Sequence, residues 1–357
     1  LRLLHLIYDH PKNPWVGGGG AIRAYELSKR LVKRGHSVTI LSGRYPGAED
    51  YEEGLLRYRF IGSPKNYIIS TFSYALNAIS YVRRHSPEYD IIVEDFAPWN
   101  PVFSSLFARC PVILHVNHIE GLGILRRWLI FGIPFYIIER IYPRFFKNLT
   151  ALSEWTKRKL KRPDAVILPA GIEPPPKVEP RVEPTPYIVY VGRLHIKNKG
   201  LDTLIEAVRE GGQRLLIVGR GRDEETLRHM AEGLKGVEFL GFLDEAEKLS
   251  TIAGSVCLVL PSRFEGWGIV LLEAASLGRP VIVSDIPELE FAVRAGWGLS
   301  FRLGDPKDLL EKINLLMGDT SLRAEMSERA IKFSKNYLWD NISVDYENYL
   351  KGVLEKS

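Results

Sequence analysis

Two carboxylates stand in the stretch PSRFEGWGIVLLEAASLG, Pro261 to Gly278: Glu265 and Glu273, with seven residues between them. Such a pair can work as acid and base, can hook the hydroxyls of a ligand, or can be plain helix surface. The surface reading is weakened for Glu273, which sits within IVLLEAA, because an ionisable group among apolar neighbours needs a partner. A helix starting near Ile269 puts Glu273 about one turn in and leaves Glu265 in the loop before it. The carboxylates then lie at different depths of one pocket. Gly266 and Gly268 free the backbone between them, and open N–H groups near Gly268 and Ile269 suit a ligand with both hydroxyls and phosphates.

Other segments offer complementary groups. In YVGRLHIKNKG, Arg193 and Lys199 bracket a short loop and can either clamp a diphosphate or form a solvated basic turn. In LLIVGRGRDEETL, Gly219 and Gly221 mark a tight turn whose backbone can touch a base, with Asp223 as a candidate helix cap. The run Gly17–Gly20 in WVGGGGAIRAYELSKR precedes a helix directly and would offer unpaired N–H groups to an anion, or form a flexible loop. Its spacing fits neither the dinucleotide fingerprint nor the P-loop. In ILHVNHIEGLG, His115 falls inside a strand and reads as a hydrogen-bonded core histidine, whereas His118 lies past the strand end and can reach a ligand.

All these segments follow short apolar runs, and those runs define the scaffold. LLHLIYD, HSVTILSG, YDIIVED and CPVILHVN read as buried parallel strands. YIVYVGR, RLLIVGRG, VEFLGFL, VCLVLPS and PVIVSD form a second set, with helical patterns between them. Repeated strand–helix units imply doubly wound sheets, so the expected class is α/β with two Rossmann-like domains facing a central cleft, ligands binding at the strand C-termini. The expected domains are 1–168 on the acceptor side and 187–335 for the nucleotide, joined by a proline-rich linker over 169–186. Residues 336–357 read as a C-terminal helix packing back on the first domain.

The 357 residues suffice for two cores, and a net charge of +5 with a pI near 9.0 suits an anionic substrate or membrane surface, or is simply ordinary for this length. Cys110 and Cys257 have no partner at a metal-ligand spacing and read as free thiols of a reducing compartment. The opening LRLLHLIYD reads as a strand rather than a signal peptide, and no apolar run reaches the roughly 18 residues of a membrane-spanning helix. A cytoplasmic protein is expected, with peripheral contact at the inner face of the membrane an option. That option rests on the apolar and basic segment 124–146, GILRRWLIFGIPFYIIERIYPRF, whose alternative is a set of core helices.

Taken together these segments resemble the retaining two-domain glycosyltransferases of the GT-B fold, in the glycogen-synthase-like group called glycosyltransferase family four. The resemblance runs from the glycine loop through ALSEWTKRKL, ILPAGIE and YVGRLHIKNKGLDTLIEAV to the glutamate pair. It implies that Arg193 and Lys199 hold the donor diphosphate, that Glu273 binds the ribose hydroxyls, and that Glu265 faces the donor sugar. The N–H groups from Gly266 to Ile269 would bind sugar hydroxyls or phosphate, His118 would lie near the transferred sugar, and Gly18, Gly19 and Gly20 would border the diphosphate and acceptor. Gly221 would add a backbone contact to the nucleotide. The implied reaction moves a hexose from a UDP- or GDP-sugar to a hydroxyl acceptor, be it a glycan, a lipid-linked sugar or a small molecule. It needs no metal and no cofactor beyond the nucleotide sugar, and it involves no nucleic acid. Two features depart from the family pattern: SDIPELEFAVRAG replaces a Gly-Gly-x-Pro-Glu motif, and Trp267 replaces a commoner phenylalanine. A nucleotide-sugar epimerase and a catalytically silent nucleotide-sugar binder are the competing readings, while a pyridoxal-type phosphorylase would need a longer chain.

Overall fold

Aliphatic and β-branched runs that must be covered on both faces assemble into two largely parallel sheets. The computed structural model describes residues 1–16 and 18–356, with the side chains of Arg126 and Arg127 also outside the description. Gly17, the first residue of the glycine run, therefore lies outside the described residues.

The first sheet comprises β1 Arg2–Leu6, β2 Ser37–Gly43, β3 Tyr51–Glu53, β4 Leu56–Ile61, β5 Ile91–Asp95, β6 Val112–Val116, β7 Asn148–Ala151 and β8 Val166–Ile167. Its eight strands run in the order β3-β4-β2-β1-β5-β6-β7-β8, parallel except for the β3/β4 hairpin. The second comprises β9 Tyr187–Val191, β10 Arg214–Val218, β11 Val237–Gly241, β12 Leu258–Leu260, β13 Val281–Ser284 and β14 Gly298–Phe301. Its six strands run in the order β11-β10-β9-β12-β13-β14 and are all parallel. The strand order reverses between β1 and β5 in one sheet and between β9 and β12 in the other. In open α/β sheets the loops beyond the C-terminal ends of such strands receive ligands. The apolar runs read from the sequence all form strands, and their residues fill the cores: Leu4, Leu6, Ile92 and Leu114 in one, Ile188, Val189, Leu216 and Ile282 in the other.

The chain divides into one unit of Leu1–Ala170 with Trp339–Ser357, and another of Gly171–Leu338. The closing helix Trp339–Glu355 packs on the helix Gly19–Lys33 through buried Ile342, Tyr346 and Leu350. Arg30 holds Asp340 at 2.7 Å and His36 meets Glu347 at 3.0 Å. The proline-rich stretch counts with the second unit from Gly171 onward. There the Arg181 N–H donates to the Ser250 carbonyl at 3.0 Å, and Ser250 Oγ donates to the Glu179 carbonyl at 2.6 Å, fastening the stretch to the helix Glu245–Gly254.

Candidate functional site

In the second unit three strand-end loops are tied into one another. After β9 the chain forms a short helix, Ile196–Lys199, and turns at Gly200. Gly200 has φ +63° and lies so close to β12's loop that a Cβ would stand 2.1 Å from the Pro261 carbonyl oxygen. Only glycine, having no Cβ, accommodates that backbone together with that approach. The β12 loop returns the contact: the Arg263 N–H donates to the Asn198 carbonyl at 2.8 Å and the Arg263 guanidinium binds Asp202 at 2.7 Å. From β10, Gly221 abuts the Leu194 carbonyl, where a Cβ would come within 2.2 Å. Asp223 makes no side-chain cap on its own helix; it accepts instead from the Ile196 N–H at 2.8 Å, in the β9 loop.

This knot brings Lys199 and Glu265 together. The ammonium and carboxylate form an ion pair, and Ser262 Oγ donates to the same Glu265 oxygen at 3.1 Å. Trp267 is buried and stacks on Phe291, ring centroids 4.6 Å apart, which anchors the stretch between the glutamates. Arg193 is exposed on the β9 loop and its guanidinium makes no ion pair among the described residues. The helix that follows, Ile269–Ser276, starts at Gly268 with φ +73° and has no side-chain cap, so its first N–H groups are open.

Glu273 lies on that helix, and its carboxylate sits 3.0 Å from Lys248 Nζ of the helix Glu245–Gly254. Burial pushes the Glu273 carboxyl up, and the Lys248 ammonium opposes that shift. Burial also acts to lower the Lys248 ammonium, but Glu273 and Glu245 outweigh it and raise it. The two glutamates are thus tied to different cations, Lys199 and Lys248, and do not act on one another as a joined acid–base pair. Lys248, Ser262 and Arg263 escape sequence reasoning: the lysine's i,i+3 spacing from Glu245 suggests only a surface ion pair.

In the first unit, Gly18 is the extended N-cap of the helix Gly19–Lys33, which also lacks a side-chain cap. A Cβ on Gly20 would lie 3.5 Å from Asn117 Nδ2, so the glycine loop and the β6 loop meet. His118, beside Asn117, is exposed past the end of β6. Buried Glu139, from the helix Ile133–Ile141, accepts the N–H groups of Glu120 and Gly121, each at 2.7 Å, and so fixes this loop. Burial raises its carboxyl, against the pull of those two donors. His115 is fully buried in β6. Asn117 Oδ1, 3.2 Å from His115 Nε2, can only accept, so Nε2 carries the proton and Nδ1 accepts from the Thr150 hydroxyl at 2.7 Å. Burial drives this imidazole down to about 3, so it stays neutral.

Part of the first unit's surface is apolar. Leu129, Ile130 and Phe131 are 73%, 71% and 75% exposed, next to exposed Trp128. Of the basic residues that sequence reasoning joined to this segment, the side chains of Arg126 and Arg127 lie outside the described residues. A second apolar face, which the sequence did not bring to attention, runs along the helix Tyr67–His85 through exposed Ile68, Phe72 and Leu76. Their i, i+4, i+8 spacing puts them on one stripe. Among the described residues no helix is long and apolar enough to cross a membrane.

Known proteins resemble the chain in sequence family and in fold. The family model described as "Glycosyltransferase Family 4" matches residues 17–174, and "Glycosyl transferases group 1" matches residues 172–333. The chain is similar to the phosphatidyl-myo-inositol mannosyltransferase of Mycobacterium leprae, 27% identical over 92% of this chain and 91% of that protein. Its fold matches that of a sucrose-phosphate synthase from Thermosynechococcus elongatus, with TM-score 0.82 at 18% identity and full coverage of both chains. It also matches HepE from Anabaena, solved with UDP-glucose, with TM-score 0.75 at 17% identity over 98% of this chain and 99% of that one.

Proposed function

The chain belongs to glycosyltransferase family four and is a glycosyltransferase of the GT-B fold, and on that premise we propose that it transfers a hexose, with retention of configuration, from a UDP- or GDP-sugar to a hydroxyl acceptor. The observation that carries this reading is the Lys199–Glu265 ion pair, set beside the uncapped helix at Gly268 on one unit. Breaking a sugar–phosphate bond builds positive charge on the sugar and negative charge on the departing diphosphate. Lys199, Arg193 and the open N–H groups near Gly268 and Ile269 are placed on loops where they can stabilise that departing charge without a divalent ion. Binding of the diphosphate draws Lys199 away from Glu265 or shares it, which leaves the Glu265 carboxylate available to the donor sugar. Glu273, kept in place by Lys248, accepts from the ribose hydroxyls, and the Gly221 turn supplies backbone contacts to the nucleotide. His118 and the Gly18–Gly20 loop serve the first unit's side of the reaction. The acceptor hydroxyl loses its proton to the leaving phosphate and attacks the face from which that phosphate departs.

The reading is tested by incubating the protein with UDP- and GDP-hexoses and acceptor extracts, in the presence and absence of EDTA. Nucleoside diphosphate should be released with acceptor, unaffected by the chelator. Lys199→Ala should reduce turnover by about 100-fold or more, as loss of a group that stabilises transition-state charge does. Tight nucleotide binding with no transfer or hydrolysis would instead mark a silent binder, and sugar inversion without acceptor an epimerase.

The acceptor is proposed to be lipid-linked. The name of the similar M. leprae protein includes a phosphatidylinositol acceptor, and exposed Leu129, Ile130 and Phe131 give this chain an apolar surface to set into a bilayer interface. The triple change of these residues to Ser should abolish sedimentation with anionic liposomes while leaving nucleotide binding intact; unchanged sedimentation would sink the membrane contact.

A further inference from the structure

At the other end of the second unit's sheet, a cavity of about 430 Å³ lies among the proline-rich stretch, the start of β9 at Tyr187, the turn Gly254–Val256 and Arg279 just before β13. Lys199 and Glu265 follow the C-terminal ends of β9 and β12, whereas this cavity lies at the strand beginnings. Across the five residues of β9 the two ends are roughly 16 Å apart. The volume falls within the range of small-molecule sites, roughly 300–1,000 Å³.

The lining is cationic, and its charge is poorly compensated. Arg181, Arg279 and Arg323 border the cavity against a single acid, Glu183. Both Glu183 oxygens are already engaged, one by Arg181 at 2.7 Å and the other by Arg214 at 2.6 Å. Arg279 and Arg323 meet only carbonyls: Arg279 Nη1 donates to Ser255 at 3.2 Å, and Arg323 Nη1 donates to Met317 at 3.1 Å and to Leu316. Neither makes an ion pair among the described residues. Arg279 Nε is buried with no hydrogen-bond partner. Burial presses the Arg279 guanidinium down, with Tyr187 opposing the shift and the nearby Arg323 charge adding to it. Arg323 has a structural task, closing the last carbonyls of the helix Pro306–Gly318. Arg279 Nε has none that the protein supplies. Guanidinium forks with free donors match the oxygens of a phosphate.

We propose that this cavity binds a small phosphate-bearing molecule, held by Arg279 and Arg323, at a site separate from the donor clamp of Arg193 and Lys199. The remaining volume takes the organic part of the ligand against Tyr187 and the proline-rich stretch. The inference does not depend on the identity of the sugar donor.

Calorimetric titration of the full chain with glucose 6-phosphate, inorganic phosphate and glucose tests it. An R193A/K199A background removes anion binding at the donor clamp. Saturable binding of glucose 6-phosphate, or of phosphate alone, should persist in that background, with glucose silent. In R279Q/R323Q it should weaken by about tenfold or more. Stronger binding of the sugar phosphate than of phosphate identifies a phosphorylated metabolite as the occupant; equal binding identifies the free anion. No saturable binding at millimolar probe, or binding that survives R279Q/R323Q, overturns the proposal. If the double variant fails to fold, R323Q alone is titrated, since its side chain is partly exposed; there too an unchanged affinity overturns the clamp.

Discussion

At the scale of single residues, the site is a set of paired charges whose partners come from distant parts of the chain. Glu265 is the counter-charge of Lys199, and the proposed function also sets it beside the donor sugar. Glu265→Gln should therefore tighten nucleoside diphosphate binding, because Lys199 loses its competing carboxylate, while turnover falls; calorimetry and a transfer assay on the same variant separate the two effects. Lys248 acts through Glu273. Lys248→Met would leave that carboxylate without its cation, raise it further, and cost about 1–3 kcal/mol of stability, read as a lower urea midpoint together with weaker nucleotide binding. Arg193, Lys199, Glu265 and Glu273 stand out as candidates in the sequence because each lies in a short glycine-marked segment after an apolar run. Lys248, Ser262 and Glu139 do not, because what makes them matter is a contact across elements far apart in sequence, and no local spacing carries it.

At the scale of elements, strand-end loops are shaped from below by buried polar groups. Glu139→Ala would orphan the N–H groups of Glu120 and Gly121 and loosen the loop that carries His118. The expected result is a lower kcat with nucleotide affinity unchanged, since the proposed nucleotide clamp belongs to the other unit. Buried histidines give the first unit a pH signature. Burial holds His115 down to about 3, and it holds His10, with Lys12 adding to the effect, down to about 4. Unfolded imidazoles take up protons below about pH 6.5, so between that value and about 4 the unfolded state binds more protons than the folded one. Stability must then fall with falling pH, by about 1.4 kcal/mol per unit for each histidine. Glu94 and Glu139, whose carboxyls burial raises, work in the opposite sense, since their contribution declines as pH rises through their folded values. Urea melts across this window should show a shallower slope in His115→Gln than in the parent. Nine of the parallel strands could be read from their continuous apolar runs, whereas β8 and β14, two and four residues long, carry no such run. The β3/β4 hairpin could not be read either: β4 alternates between buried and more exposed residues, as suits a strand near a sheet edge, and β3 is three residues long with none buried.

At the scale of the whole molecule, the chain order and the folded units do not coincide. The first unit takes back the last stretch of the chain, and the helix Trp339–Glu355 covers the helix that carries the glycine loop. Buried Arg23 joins them, with its guanidinium 5.9 Å from the Tyr346 ring and a hydrogen bond to the Leu168 carbonyl at 3.2 Å. The aromatic and aliphatic spacing of the last helix was visible in sequence; the partners that fix it, Arg30 and His36, were not, because pairing with Asp340 and Glu347 spans most of the chain. The second unit is proposed to hold a nucleotide-sugar donor for retaining transfer. Proton NMR of the product formed from an α-linked UDP- or GDP-hexose, run beside the Glu273→Ala variant, tests it most directly. An α-linked product from the parent protein, with nucleotide binding and transfer lost together in the variant, is the predicted result; a β-linked product, or transfer undiminished without Glu273, would contradict it.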